Sequence, residues 1–479
     1  MRPLLFSLFA FCFIQPVTAQ NIPIDFTNNP DKPIVIENRA TGKTLFFFYP
    51  EKLKSTRFAK EGNPCKAYEI NTATLQVLRV SPELALHISS EDLKVRHLCR
   101  FSRGDDYYFV LENNDSVQVM RIEGQGLTIQ KTDTYAAEKG GRIIGGVADG
   151  PNAYVLSSQK KKKGDDLLFV HQIDENGKLQ KHTFPVGETM IDEIPRGEYS
   201  PLSVEYGAEE EPEAASKKVK LYAGEQRLWL TMDNAWTGGT NQAQAALLKV
   251  ITFDLATDSM RVQQFGYTDK RVYNAENEAR NSFIFDKKVF QLYMNHEQFM
   301  LRVRDLDSGE PLFSKILMRE DTIEGIANST ILVPGRGSFG IEKEYRSVRK
   351  FVRRFSKFRP FMQVRREGDD YLMCIGGYEE ITTFSPGMNP GTGTFAAGPG
   401  YMNSYERAFS FYSAINAQTM TRSSVFFKKS LIEAYNDMLT VVERPRDQAL
   451  YHIGNHFYLG YFNKPEKKYR LRQLKLQTR

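Results

Sequence analysis

A chain of 479 residues that is 41% hydrophobic, 12% aromatic and 25% charged has the composition of a folded globular protein, long enough for two or three domains or one large repeat fold. Disorder and a continuous coiled coil are excluded as overall descriptions. With 64 Lys and Arg against 58 Asp and Glu the formal charge is only +6, which excludes nucleic-acid binding on bulk charge.

The chain opens with MRPLLFSLFAFCFIQPVTAQ: Arg2, an apolar run from Leu4 to Ile14, and small residues ending at Ala19. That is the pattern of an export signal, because the apolar run is shorter than the roughly 20 residues a spanning helix needs. Residues 1–19 are expected to be removed, leaving a mature chain from Gln20 in a periplasmic, outer-surface or extracellular location. An uncleaved membrane anchor is the alternative. Bulky Phe11 before Cys12 argues against lipid attachment, and no later stretch is long and apolar enough to span a bilayer. The remaining cysteines, Cys65, Cys99 and Cys374, are odd in number and cannot form a disulfide framework. A Cys65–Cys99 bridge and buried free thiols both remain open.

Beyond the signal one phrase recurs: a strand, a gap, a second strand, a tight polar turn, a third strand. Its clearest copies are RLWLTMDN with LLKVITFDLATDSMRVQQF, and KVFQLYMNHEQFMLRVRDLDSGEPLFSKIL, in which apolar and polar residues alternate around an Asp-rich turn. Weaker copies bring the number of units to seven, and a further short strand precedes each, such as VKLYAG at 219–224 or ALYHIG at 449–454.

Seven units of four antiparallel strands resemble a β-propeller, an all-β ring of four-stranded blades, here as a single domain over 20–479; six or eight blades are the neighbouring counts. The last unit stops after its third strand, and IPIDF at 22–26 is expected to complete it, closing the ring so that no sheet edge stays open. The resemblance is one of architecture: with only two tryptophans there is no Trp-Asp or quinoprotein blade signature, and no sialidase-type Asp box is found. Unrelated β-domains in tandem are the alternative.

Second strands centre near 46, 109, 155, 229, 291, 373 and 458, whereas a minimal blade needs only about 40–45 residues. The surplus falls between blades or between second and third strands, which lie on one face of a propeller; third-to-fourth turns are all short. One decorated face and one plain face are therefore expected, and the decorated face is the expected binding face.

Between the fifth and sixth units, Ile341, Tyr345, Val348, Phe351, Val352, Phe355 and Phe358 recur at intervals of three and four, predicting an amphipathic helix over 341–358; a short helix is expected over 430–442. From 342 to 366 there are ten Lys and Arg against two acids. Arg346, Arg349, Lys350, Arg353, Arg354 and Lys357 are the candidate anion-binding residues, for an acidic polysaccharide, an acidic protein or a lipid headgroup surface. A helix that packs its aromatic face and solvates the other is the simpler explanation. The acidic stretch from Glu205 to Glu213 is placed to reach across the same face.

No catalytic signature emerges. GRGSFG at 335–340 lacks the strand-helix context of a dinucleotide loop, and TGKT at 41–44 lacks the glycine of a nucleotide loop. His452 and His456 are four apart, but in a strand-turn-strand setting, so no metal and no cofactor are expected. Asp pairs after Gly104, Gly164 and Gly368 read as turns, as does Asp305-x-Asp307-x-Gly309, which lacks the downstream Glu of a calcium loop. On the decorated face Trp236, Tyr401 and Tyr405 are candidate stacking surfaces for a ligand, with Asp233, Asn234, Glu406 and Arg407 as polar anchors in Gly- and Asn-rich loops. The expected function is an exported binding module for an anionic glycan or a protein partner. A propeller hydrolase or lyase acting on glycans and a structural part of a cell-envelope assembly are the competing readings.

Overall fold

The computed structural model describes residues 20–22, 32–50, 62–87, 95–113, 116–161, 164–187, 190–194, 202–204, 210–235, 247–267, 278–333, 343–385, 401–442, 446–463 and 465–474. The export signal at 1–19 and GRGSFG lie outside them. Seven small sheets follow one another along the chain and form a seven-bladed β-propeller. Their inner strands are Ile34–Asn38, Val95–Arg103, Gly141–Asp149, Val219–Gly224, Ala279–Phe285, Arg359–Glu367 and Arg446–Ile453. Blades are numbered in that order.

Alternation explains the layering. Within each blade the inner and second strands carry apolar side chains on both faces, because neighbouring blades pack on both; outer strands face solvent on one side. Val77–Val80 and Pro311–Met318 are such outer strands, with Leu78 47% and Met318 49% exposed. Buried clusters then join blades 1 and 2, 2 and 3, 3 and 4, 4 to 6, 6 and 7, and finally 7 and 1, where Phe46 and Phe48 meet Tyr451 and Tyr469. The core is thus a closed belt.

Ring closure comes from Gln20–Ile22, which pairs antiparallel with Lys468–Leu474 in the register Asn21↔Arg470. The closing strand was expected at 22–26. An edge strand of three residues has too little side-chain pattern to declare its register, so the sequence misplaces it by two residues.

Turn chemistry at the ends of the third strands is repeated. Asn71, Asp174, Asp305 and Asn416 each accept backbone N–H groups of their own turn through Oδ1; for Asp305 the donors are Asp307 N at 3.0 Å and Ser308 N at 2.8 Å. Gly309 then takes φ +77°, a conformation that an L side chain resists. The fragment of a calcium loop is accordingly a hairpin turn whose carboxylate is spent on its own backbone. Asp106 and Asp370, from two of the Gly-Asp-Asp triplets, likewise bind Gly124 N and Ser423 Oγ.

Three blades depart from four strands, the first being blade 1, where Leu84–Leu86 also pairs with Asn63–Asn71. Blade 4 gains a fifth, innermost strand, Leu202–Ser203, parallel to Val219–Gly224. Blade 6 has three, because residues after Asn416 make isolated bridges, Ile415↔Arg422 and Ser329↔Phe427, instead of a continuous ladder. Its second and third strands, Asp370–Ser385 and Tyr401–Asn416, are 16 residues each and extend past the blade as one hairpin.

The helix expected over 341–358 is confined to Val348–Phe355. Lys343–Glu344 instead pairs with Leu332–Val333, and Tyr345 N donates to Ile331 O, so the leading residues are drawn into extended backbone. The later helix is Leu431–Val441, started by a capping box in which Ser430 Oγ accepts Glu433 N and Glu433 accepts Ser430 N.

The cysteines among the described residues, Cys65, Cys99 and Cys374, are buried thiols outside any disulfide; burial pushes the Cys65 and Cys374 thiols up to about 12. Burial also pulls His97 down to about 3 and His171 and His452 to about 4. These rings are neutral when folded and titrate near 6.5 when unfolded. The unfolded chain therefore binds up to three more protons between pH 6.5 and about 4, and their contribution to stability is present above pH 6.5 and lost on acidification, at up to about 4 kcal/mol per pH unit near pH 5. Thermal melts across that range should fall steeply, and replacing His171 by Asn should flatten the slope.

Candidate functional site

The helix Val348–Phe355 is anchored by aromatic packing. Val348, Phe351, Val352 and Phe355 are buried, with Phe351 5.9 Å from Phe299 and 5.8 Å from Phe411 between ring centroids, and Phe355 5.2 Å from Phe409. Phe358 follows at 5.1 Å from Phe409. This fixes the helix on the decorated face over blades 5 and 6 and turns the opposite side outward.

On that outward side Arg349, Lys350, Arg353 and Lys357 are exposed. Arg346 is exposed as well but is paired with Glu344 at 2.9 Å. Arg354 is a correction to the expected set: it is 9% exposed, with its guanidinium 5.0 Å from the Phe358 ring, because the aromatic stripe wraps far enough round the short helix to enclose it.

The cationic surface extends beyond the helix. Arg359 is the first residue of the blade 6 inner strand, Arg280 the second of blade 5, and Lys218 immediately precedes the inner strand of blade 4. Desolvation, then Arg280 and Arg359, hold Lys218 below the ordinary lysine value, so the three charges feel one another at the mouth of the ring. Among the described residues none of Lys218, Arg280, Arg349, Lys350, Arg353, Lys357 and Arg359 forms an ion pair. Some exposed cations elsewhere are paired, as in Lys160–Asp192, Lys181–Glu138 and Arg261–Asp307, whereas here seven unpaired ones lie in one stretch of surface.

The aromatic candidates fare differently. Trp236 lies outside the described residues, and so do the side chains of Asn234, Tyr401, Tyr405 and Glu406. Tyr401, Tyr405, Glu406 and Arg407 stand not in a loop but on the long hairpin, opposite Ser385, Ile381, Glu380 and Glu379. Arg407 is paired with Glu379 at 2.6 Å and is 12% exposed in its side chain, so its charge is already matched. Asp233 is a second correction: fully buried, it accepts from Tyr267 Oη and from Ser282 N at 3.0 Å, which removes it from any ligand surface. The strand has a register shift between Met232 and Ala235 that re-aims this stretch. His452 and His456 flank a hairpin turn of blade 7, as expected from their setting.

Sequence reasoning missed Lys218 and Arg280. Each stands at the start of an inner strand in its own blade, and only closure of the ring brings them beside Arg359.

No family model matches this chain, and no curated protein matches it. Among solved structures, Saccharomyces cerevisiae Sqt1 aligns over 95% of this chain and 99% of its own at 10% identity and a TM-score of 0.37. A subtype N10 neuraminidase-like protein of a little yellow-shouldered bat influenza virus aligns over 84% and 97% at 13% identity and a TM-score of 0.33. Likenesses this distant carry nothing about function, and the blade count rests on the seven sheets themselves.

Proposed function

We propose that this protein is an exported binding module that holds an anionic glycan across the decorated face, along the cations running from Lys218, Arg280 and Arg359 to Lys357, Arg353, Lys350 and Arg349. The observation that supports this reading is the absence of ion pairs from that whole group among the described residues. A surface that keeps several like charges close together without internal counterions is held at positive potential, which attracts polyanions and repels cations. An extended chain with regularly spaced carboxylates or sulfates matches a stripe better than a single small anion does. Export of the protein, read from residues 1–19, places such polymers within its reach.

The test is binding to an immobilised uronic-acid polysaccharide and to a sulfated one, with a neutral glucan as control. Rim charges contribute about 0.2–1 kcal/mol each, and reversal counts twice, so Arg353→Glu with Lys357→Glu is expected to weaken binding about fourfold or more. Raising the salt should act in the same direction. Both positions are exposed, so folding stability should change by less than about 0.5 kcal/mol. Equal retention on the neutral glucan, or an unaltered affinity in the double variant, would overturn the reading.

A further inference from the structure

The middle of the ring holds a second concentration of positive charge, independent of the helix. A cavity of about 300 Å³ is lined by Arg96, His97, Arg100, Ser203, Glu210 and Lys217, among others. It shares Arg100, Ala148 and Glu210 with a cavity of about 600 Å³ that reaches the plain-face turns of blades 1 to 3. Irregular backbone carves the smaller space. The inner strand of blade 2 slips register between His97 and Cys99, and that of blade 3 between Ile143 and Gly145. A Cβ on Gly146 would stand 3.0 Å from Leu98 Cβ, so the two inner strands approach as closely as glycine allows.

Its polar lining is incompletely matched. Arg96 is tied on one side to Glu112 and donates to Ile144 O at 3.2 Å. The Lys217 ammonium makes no hydrogen bond or ion pair among the described residues; desolvation, then Arg96, lowers its pKa, with Glu213 opposing. His97 Nε2 is buried with no hydrogen-bond partner among the described residues, and burial followed by Arg100 keeps the ring neutral. The chain brings its own anion here. Gln363, 2% exposed on the blade 6 inner strand, clamps the Glu210 main chain at both ends, donating Nε2 to Glu210 O at 2.9 Å and accepting Glu210 N at Oε1. Lys32 secures the next residue, Glu211, at 3.1 Å. Glu210 and Glu211 are thus fastened to both sides of the ring, with Glu210 lining both cavities.

We propose that this cavity binds a small oxyanion, a carboxylate, sulfate or phosphate group, through Arg96, Arg100, Lys217 and the free nitrogen of His97, with Glu210 as the built-in competitor. Three cations line this space, and Glu210, from the chain's own acidic segment, lines it with them. Neutral His97 supplies a hydrogen bond without adding to the repulsion between the cations.

Isothermal titration of the purified protein with citrate, sulfate and inorganic phosphate tests this, the three separating carboxylate from sulfate and phosphate recognition. Saturable binding of at least one anion is expected, weakened about tenfold by Lys217→Ala, which breaks no internal bond, and tightened by Glu210→Gln, which keeps the main-chain clamp. Arg353→Glu with Lys357→Glu should leave it unchanged, which separates this site from the glycan stripe. Failure of all three anions to bind Glu210→Gln at millimolar concentration, or undiminished binding by Lys217→Ala, would overturn the site. Equal affinities of Glu210→Gln and the parent chain would remove Glu210 as competitor.

Discussion

Replacing Asp233 by Ala is expected to destabilise the fold by about 3–5 kcal/mol, because it removes one partner from a buried charged network that joins three blades. Asp233 on blade 4 accepts from Tyr267 Oη and Ser282 N, the latter on blade 5. Beside it Lys220, fully buried, donates to Asn281 Oδ1 and Ser282 O, both at 2.7 Å. Asn281 continues to blade 6, donating to Pro360 O at 3.1 Å and accepting Met362 N at 3.0 Å. Without the carboxylate, Tyr267 and Ser282 N lose an acceptor and Lys220 loses its counter-charge. Thermal melting measures the loss, and Asp233→Asn, which keeps the shape, should cost less than Asp233→Ala. A change below about 1 kcal/mol would show that the network does not cross-link the blades. Burial lowers Lys220 to about 8, opposed by Asp233. Since the unfolded lysine titrates near 10.4, the unfolded chain binds more protons in between, and this residue's contribution makes stability rise from pH 8 toward 10.

Loss of the Asn328 side chain is expected to cost about 2–4 kcal/mol. Blade 6 has no continuous fourth strand, and the Asn328 side chain ties the outer edge of Tyr401–Asn416 to the segment that covers it. Oδ1 accepts Ala414 N at 3.0 Å, and Nδ2 donates to Ser423 O at 2.9 Å and Val425 O at 2.7 Å. Ser329 Oγ accepts Tyr412 N beside it at 2.8 Å. Asn328→Ala therefore takes this partner from the buried Ala414 N and from two part-buried carbonyls, of Ser423 and Val425, and loosens the cover of a strand edge, the usual start of edge-to-edge association. Hydrogen exchange at Ala414 and Tyr412 should quicken before the rest of the ring opens, and light scattering should rise with concentration. Protection equal to that of the parent chain would show that residues 421–427 cover the edge unaided.

Much of this architecture was legible because it is local. Two-residue alternation and the Asn or Asp that opens most third-to-fourth turns are properties of short stretches, so seven units and a decorated face are directly readable. The aromatic stripe of Val348–Phe355 was visible for the same reason, though its length was overstated: periodicity at 341–345 looks helical until Lys343–Glu344 finds a strand partner. Tyr401 to Arg407 read as a loop in the sequence because the glycines before them hide the start of a strand.

What the sequence by itself determined is the repeat, its turn chemistry, the insertion face and the local excess of basic charge, all set by side chains a few positions apart. Tertiary structure decided the rest. It set the closing register of Gln20–Ile22, the burial of Asp233 and Arg354, the clamping of Glu210 by Gln363, and the meeting of Lys218, Arg280 and Arg359. Each depends on surfaces brought together from distant blades, and the fate of a charged side chain, buried, paired or left facing solvent, is fixed by the neighbours that the closed ring supplies.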